Sequence, residues 1–489
     1  MKNALKNWGF LFILLFFSAV ASAQVALPPF FNCNMVLQQG IPIPVWGWAS
    51  PGEKVSVTFN NKTVTTKTGK DGKWKVSLPS MNYGGPYKMV VKGKNLRTIE
   101  NILIGEVWVC SGQSNMEFKL SSANNAEAEI AASNYPEIRL FTVKRRMAQT
   151  PQENLEEGEW WECSPVSTPN FSAVAYFFGR ELYKKLKVPI GLIHTSWGGT
   201  AAETWTSPEA IAKNPDFAPM LEKLKTIDLK EYAKNTDKSV PKLGPNTFPT
   251  LLYNGMIHPL IPYGIKGVIW YQGENNAGRA FQYRQVFPEM IKDWRSQWHQ
   301  GDFPFLFVQL ANYMKADSLP AQSTWAELRE AQSMTLSLPK TGMASAIDVG
   351  DAGNIHPKDK QTVGKRLALS ALKVAYNQNI ENMGPVYNEM KVSGNKVEIT
   401  FSHVGTGLKA KDKYGYVKGF ALAGNDHKFH WATAAITGTN TIILSAPEVA
   451  EPVAVRYAWG NNPDDVNLYN SEGLPADPFR TDKWKGITE

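Results

Sequence analysis

Cysteine is scarce in this chain, which has only Cys33, Cys110 and Cys163 among 489 residues. So few cysteines, and an odd number of them, exclude a disulfide-rich scaffold, because at most one intramolecular bridge can form. Cys110 lies in an apolar run and is expected to be a small buried hydrophobic residue. The sequence leaves open whether Cys33 and Cys163 pair.

Charge is also modest and evenly spread. Charged residues make up 20% of the chain, the formal net charge is +8, and the Lys and Arg residues do not cluster in a stripe. Nucleic-acid binding usually needs a basic face, so this pattern argues against a nucleic-acid partner. A 43% share of hydrophobic residues is typical of a folded globular protein, and the length predicts two or three domains.

Long hydrophobic runs are missing, apart from a short one at the N-terminus. Lys2 and Lys6 precede apolar residues 10–17, and Ala21, Ser22 and Ala23 form a small-residue cleavage site. The run is too short to cross a bilayer, so we expect residues 1–23 to be a signal peptide and the protein to be exported, to the periplasm or beyond. No second apolar run is long enough to predict a membrane span.

The rest of the chain divides into three parts by its pattern. Residues 24–103 contain short alternating segments and predict an N-terminal β domain like a small sandwich. Residues 104–380 alternate apolar strands with amphipathic helices, which predicts an α/β domain with a mostly parallel sheet. Residues 381–489 return to a β pattern and predict a C-terminal β domain. The polar segment 208–249 predicts a helical insertion or lid-like excursion.

Individual elements of the α/β domain follow from apolar periodicity. The predicted helices cover residues 176–187, 283–298, 325–336 and 360–376, and the predicted strands cover residues 188–194, 267–272, 304–310 and 343–348.

Four loops rich in Gly or Asn follow predicted strands, at residues 112–116, 195–200, 272–276 and 348–357. The carboxyl ends of parallel strands share one edge of a sheet, so these loops are expected to meet. Together they supply a hydroxyl, backbone donors, amides and an imidazole. That set of groups indicates acyl transfer through a serine nucleophile.

Ser114 and His356 are the candidates for nucleophile and general base. Ser114 follows a strand and starts a helical turn, where its hydroxyl could attack an ester carbonyl while His356 takes the proton. The simpler alternative is that Ser114 only caps the helix. A glycine N–H of the second loop and an asparagine amide of the third could stabilise the oxyanion.

Four motifs in and beside these loops, GQSNM, SWGGT, YQGENN and IHPKDKQ, resemble those of the sialate O-acetylesterase family of SGNH-type (GDSL-like) hydrolases. The resemblance extends to residues 252–260, 325–332, 456–459 and 473–481, and so covers nearly the whole mature chain. It implies an α/β/α hydrolase domain flanked by small β domains. It also implies removal of acetyl groups from sugars without a metal or organic cofactor.

Site residues can be carried over from the resemblance one by one. Ser114 matches the nucleophile and His356 the base. Either Gly198 or, preferably, Gly199 matches the oxyanion glycine. The oxyanion amide matches one of two residues, Asn275 or Asn276.

The acid is where the chain departs from the pattern. Many SGNH enzymes place an Asp three residues before the His, and here that position is Gly353. Asp351 is the first choice for orienting His356 and Asp348 the second. A Ser–His dyad without a carboxylate is the third possibility.

Four further candidates for substrate contact lie in the loops themselves: Gln113, Gln272, Glu274 and Trp197. Arg329, on the predicted helix 325–336, is a fifth candidate, because it could contact an acidic sugar. Core packing of Trp197 and a solvated helix face for Arg329 are the simpler alternatives. His427 and His430 have a spacing that metals use, but no third ligand is evident, so no metal site is predicted.

The sequence thus predicts an exported carbohydrate O-acetylesterase that forms an acetyl-serine intermediate, with sialic acid esters as the substrate that the resemblance implies. The alternative within the same chemistry is an acetylxylan or other plant-polysaccharide esterase. The alternative of another class is a non-catalytic glycan-binding protein. The oligomeric state does not follow from the sequence.

Overall fold

The computed structural model describes residues 24–234, 242–412 and 415–489, so the expected signal peptide lies outside the described residues. The N-terminal part is built from strands that alternate buried and exposed side chains, as in Lys73–Leu78. These strands are β1 (Val36–Gln38), β2 (Ile43–Trp48), β3 (Lys54–Phe59), β4 (Lys62–Lys67), β5 (Lys73–Leu78), β6 (Gly84–Lys92) and β7 (Leu96–Gly112).

Strand β7 joins the N-terminal part to the centre of the molecule. It is 17 residues long, and every residue from Ile102 to Gly112 is buried. Its first half pairs antiparallel with β6, and its second half lies at the centre of the parallel strands that follow. The domain boundary expected at residue 103 therefore falls inside a continuous strand, and the two parts share one 11-stranded sheet.

The central strands are β8 (Tyr135–Thr142), β9 (Trp160–Cys163), β10 (Ile190–Ser196), β11 (Gly267–Tyr271), β12 (Phe305–Gln309) and β13 (Thr341–Ser345). Their order is β13-β12-β11-β7-β10-β8-β9. All neighbours in this path are parallel except β8 and β9. The sheet is therefore mixed as a whole and parallel at its centre. Full burial of β10 to β12 explains their mainly apolar sequences.

The helices are α1 (Ser114–Glu117), α2 (Ala126–Ala131), α3 (Ala173–Leu186), α4 (Pro208–Ile211), α5 (Ala218–Thr226), α6 (Leu229–Lys234), α7 (Ala280–Trp298), α8 (Thr324–Met334) and α9 (Lys360–Val374). The four predicted helices correspond to α3, α7, α8 and α9. Ser172, Ser323 and Asp359 cap α3, α8 and α9 with side-chain oxygens, which sets where those helices begin.

The polar segment 208–249 contains the short helices α4 to α6, as the sequence indicated. Leu224, Phe248 and Leu251 form a small apolar cluster that holds it together. Residues 235–241 of this segment lie outside the described residues.

The C-terminal part has its own apolar core, which includes Ile399, Leu422 and Tyr457. Two four-stranded sheets and a two-stranded one surround that core. Their strands are β14 (Val386–Ser393), β15 (Lys396–Ser402), β16 (Lys409–Ala410), β17 (Phe420–Ala423), β18 (Phe429–Trp431), β19 (Thr433–Ile436), β20 (Thr441–Ser445), β21 (Ala454–Tyr457), β22 (Leu468–Tyr469) and β23 (Phe479–Arg480).

All three cysteines are free thiols, so Cys33 and Cys163 are not bridged. Within the described ranges, no helix combines the length and the apolar character that crossing a membrane requires.

Candidate active site

The turn after β7 carries Ser114. Gly112 ends the strand with a φ of +137°, and a Cβ there would collide with the carbonyl of Tyr271 in β11. Only glycine lets the two strands approach so closely before the chain turns into α1. Gln113 holds the N-cap position, so Ser114 is not the cap of this helix, and the simpler alternative for Ser114 is wrong.

His356 reaches Ser114 from the loop after β13. Its Nε2 lies 2.8 Å from Ser114 Oγ. The backbone N–H of His356 donates to Asn354 Oδ1 at 2.9 Å, which fixes the local turn. Burial, and then the nearby charge of Lys360, hold the pKa of His356 below its ordinary value of 6.5. The imidazole is therefore neutral near pH 7 and able to accept a proton.

The predicted acids lie elsewhere. Asp351 is exposed, and its Oδ1 accepts from the N–H of Gly353 at 2.9 Å. Asp348 forms a two-pronged ion pair with Arg366, at 2.6 and 2.8 Å, so it is not the partner of His356. Across the described parts of the chain, no carboxylate hydrogen-bonds to His356, and Asp351 as its orienting acid stays a prediction without a supporting contact.

The second loop packs directly on the nucleophile turn. A Cβ at Gly198 would lie 3.3 Å from Ser114 Cβ. The N–H of Gly198 already donates to Glu117 Oε2 at 2.7 Å. The N–H of Gly199 has no hydrogen-bond partner among the described residues, and Gly199 has a φ of +71°, which favours glycine. Gly199 is therefore the available donor of the two.

The two candidate asparagines differ in what they bind. Asn276 is buried, with its Nδ2 donating to Glu203 at 3.0 Å and its Oδ1 accepting from Ala202 N–H and Gln272 Nε2 at 3.0 and 2.7 Å. Asn275 is exposed and uses one amide hydrogen toward the carbonyl of Gly199, at 2.9 Å. Asn275 keeps a second amide hydrogen for a ligand, whereas Asn276 has a structural role.

Two of the proposed substrate contacts need correction. Arg329 is fully buried and donates to the carbonyls of Leu310, Ala311, Gly460 and Asn461, which joins α8 to the C-terminal part. It neither faces solvent nor reaches the site.

Gln272 is also fully buried, and it is the second proposed substrate contact that needs correction. Its amide donates to the carbonyl of Thr200 at 3.0 Å, and its carbonyl oxygen accepts from Tyr283 at 3.0 Å. Gln113 is 3% exposed and its Oε1 faces the N–H groups of Gly273 and Asn275 at 3.4 Å. Both glutamines hold loops together, and both ends of the Gln272 amide are used within the protein.

Trp197 and Glu274 remain near the site. Trp197 is half-buried and its ring lies under the guanidinium of Arg145, 5.3 Å from ring centre to carbon. Arg145 also pairs with Glu117. The bond between Glu117 and Gly198 could not be read from the sequence, because nothing in the sequence shows that these loops touch.

Asn115 and Lys360 are the other residues that sequence reasoning missed. Asn115 donates to Glu274 Oε1 at 2.5 Å and accepts from Lys360 Nζ, directly behind Ser114. Both residues lie inside motifs already singled out, which is the signal that could have found them. Within the described ranges, no cluster of three or more His, Cys, Asp or Glu side chains could hold a metal ion.

Comparison with known proteins identifies the family of the chain. The family described as carbohydrate esterase, sialic acid-specific acetylesterase, matches residues 104–373. The chain is 34% identical to mouse sialate O-acetylesterase, over 89% of this chain and 90% of the mouse protein. The human sialate O-acetylesterase is 31% identical, over 92% and 91% of the two chains.

One solved structure is similar over nearly its full length. A carbohydrate acetylesterase from Xanthomonas citri is 41% identical, with a TM-score of 0.85, and the match covers 94% of this chain and 100% of that one. The chain belongs to the sialic acid-specific acetylesterase family of carbohydrate esterases.

Proposed function

We propose that this protein hydrolyses O-acetyl esters of carbohydrates through an acetyl-Ser114 intermediate. The observation that carries the proposal is the 2.8 Å contact between His356 Nε2 and Ser114 Oγ. That distance is within hydrogen-bond reach for a general base. The neutral imidazole takes the hydroxyl proton as Ser114 Oγ attacks the acetyl carbonyl.

The tetrahedral intermediate then needs donors for its oxyanion. The unpartnered N–H of Gly199 and the second amide hydrogen of Asn275 supply them at the mouth of the site. A donor of this kind contributes about 3 kcal/mol of transition-state stabilisation. As the intermediate collapses, the imidazolium of His356 gives its proton to the sugar oxygen that leaves. Water, deprotonated by His356, then attacks the acetyl-Ser114 ester, the bond to Ser114 Oγ breaks, Ser114 Oγ regains the proton from His356, and acetate leaves.

Ser114 and His356 work here as a Ser–His dyad. The carboxylates of Asp348 and Asp351 bind Arg366 and the Gly353 N–H, so the imidazolium gains no direct carboxylate partner from them. Asp351 is kept as the alternative acid, because it lies in the same loop five residues before His356.

Sialic acid O-acetyl esters are the first candidate substrate, because the mouse and human relatives carry the name sialate O-acetylesterase. Acetylated plant polysaccharide such as xylan is the second. The observation that favours it is that the Xanthomonas citri protein, at 41% identity, is described more broadly as a carbohydrate acetylesterase.

The finer architecture is part of the proposal. We infer that residues 104–380 form an SGNH-type α/β/α hydrolase domain between β-sandwich-like parts at 24–103 and 381–489. Trp108 of β7 packs on Phe178 of α3, and Trp270 of β11 packs on Phe287 of α7, which supports helices on both faces of the sheet. Export to the periplasm or medium rests on the pattern of residues 1–23 alone, and an N-terminus at Gln24 in the exported protein would test it.

The test compares acetate release from O-acetylated sialic acid and from acetylated xylan, side by side, by the wild-type protein. Release from sialic acid alone supports the first substrate, and release from xylan alone supports the second. Binding of either glycan without any release would instead make the protein a non-catalytic glycan-binding protein.

A further inference from the structure

The side chain of Asn115 connects the two halves of the Ser–His pair. It is 1% exposed. Its Nδ2 donates to the carbonyl of Ile355 at 3.0 Å and to Glu274 Oε1 at 2.5 Å, while its Oδ1 accepts from Lys360 Nζ. Asn115 is the chain neighbour of Ser114, and Ile355 is the chain neighbour of His356. One amide therefore ties the nucleophile turn to the loop of the base.

The partners of this amide allow only one orientation. A backbone carbonyl only accepts hydrogen bonds, so the nitrogen of the Asn115 amide must face Ile355. The other hydrogen of that nitrogen then points at Glu274, and the amide oxygen faces Lys360. Lys360 and Glu274 hold the remaining atoms of the amide and so support the bond that reaches the His356 loop.

Burying the charged groups of this arrangement lowers the stability of the folded protein. Lys360 is fully buried, with its ammonium over the rings of Phe118 and Tyr271 at 4.8 and 5.3 Å. The second oxygen of Glu274 is buried and has no hydrogen-bond partner within the described ranges. Buried charges often contribute less stability than apolar side chains of the same size. Their position next to Ser114 favours a role in the site over a role in stability.

Burial acts on both charges in the expected direction. It lowers the pKa of Lys360 to about 7 and raises the pKa of Glu274. Each group also stabilises the charged form of the other through space, because the charge of Glu274 raises the pKa of Lys360 and the charge of Lys360 lowers the pKa of Glu274.

We propose that Asn115, Lys360 and Glu274 form a positioning network that holds His356 against Ser114, in place of the carboxylate that orients the base in a Ser–His–Asp triad. The inference rests on the proposed function of Ser114 and His356. The three side chains are positioning residues, because they touch Ile355 and one another and do not touch the reacting atoms. A displacement of about 1 Å at a reacting group can lower the rate about 100-fold, so a network that fixes the position of His356 can have a large effect on the catalytic rate.

The test uses substitutions that differ in one hydrogen-bonding property. Asn115→Asp keeps the size but removes the donor to Ile355 and Glu274, and we expect kcat to fall about 100-fold with KM changed less than about twofold. Glu274→Gln still offers an oxygen to the Asn115 amide and should retain at least about tenfold more kcat than Glu274→Leu, which should lose activity as Asn115→Asp does. Asn124→Asp, an exposed site on the same segment, is the matched control and should behave as wild type.

A second measurement does not depend on turnover. Crystal structures of the wild-type and Asn115→Asp proteins should differ in the His356 Nε2 to Ser114 Oγ distance, with the 2.8 Å contact present in the first and lost in the second. An unchanged contact in Asn115→Asp overturns the network, and so does equal kcat for Glu274→Leu and Glu274→Gln. A wild-type protein that keeps the contact but releases no acetate refutes the proposed function, while the structural comparison still decides the network.

Discussion

His356 Nε2 lies 2.8 Å from Ser114 Oγ, although the two residues are 242 positions apart in the chain. Ser114 follows β7, and His356 follows β13, which is separated from β7 by β11 and β12 in the sheet. The loop after β13 must therefore cross the ends of two strands. Asn312 supports it on the way by accepting from the N–H of Gly350 at 2.7 Å.

The first prediction concerns Asp351, which lies five residues before His356 in the sequence. Its carboxylate binds the N–H of Gly353 and does not contact the imidazole, so Asp351→Asn should keep kcat/KM for acetate release within about threefold of wild type. In a Ser–His–Asp triad the same change costs about 10,000-fold. A loss of that size would restore Asp351 as the orienting acid.

Substitution of Asp348 should lower the stability of the protein, whereas substitution of Asp351 should not. It holds the buried guanidinium of Arg366 and accepts from the Tyr469 hydroxyl at 3.0 Å. Asp348→Asn leaves the Arg366 charge without its counter-ion, and we expect the free energy of unfolding to fall by about 3 kcal/mol. Thermal denaturation followed by circular dichroism measures it, with the exposed Asp351→Asn as control. Equal melting temperatures for the two variants would contradict the structural role of Asp348.

The two asparagines of the third loop provide a matched pair. Asn275→Ala removes the proposed oxyanion donor, so kcat should fall about 100-fold while the melting temperature stays near that of wild type. Asn276→Ala breaks three buried hydrogen bonds to Ala202, Glu203 and Gln272, so it should lower the melting temperature. The reverse pattern would show that the assignment of Asn275 over Asn276 is wrong.

The pH dependence of kcat/KM tests the electrostatics of His356. The base must be neutral, so kcat/KM should rise with pH through the pKa of His356, which burial and Lys360 hold below 6.5. Lys360→Met removes a positive charge that lowers this pKa, so the acid limb should move to higher pH. Glu117→Gln removes a negative charge that raises it, so the limb should move to lower pH. Shifts in the same direction, or none, would contradict this account.

The apolar periodicity of the sequence predicted helices and strands well where one face of a helix or a whole strand is apolar. Helices α3, α7, α8 and α9 were found within a few residues, because each has a capped start or a long apolar face. Strands β8 and β9 were missed. β8 mixes exposed Pro136 and Glu137 with a short buried stretch, and β9 is only four residues long, so neither shows a clear period.

The sequence predicted those site residues whose positions follow from the ends of the parallel strands. Ser114 and His356 meet because parallel strands bring their carboxyl ends to one edge. Arg329 was misplaced because the surface that buries it, at Gly460 and Asn461, is more than 130 residues further along the chain. The contact between Asn115 and Lys360 spans 245 residues and could not be read from either motif alone.

The measurement that tests the central claim most directly is acetate release by Ser114→Ala, beside wild type and the exposed control Ser122→Ala. We expect Ser114→Ala to lose at least about 10,000-fold in kcat with its fold intact by circular dichroism, because removing a serine nucleophile removes the covalent route. Ser122→Ala should match wild type. Acetate release by Ser114→Ala at the wild-type rate would contradict the acetyl-serine mechanism.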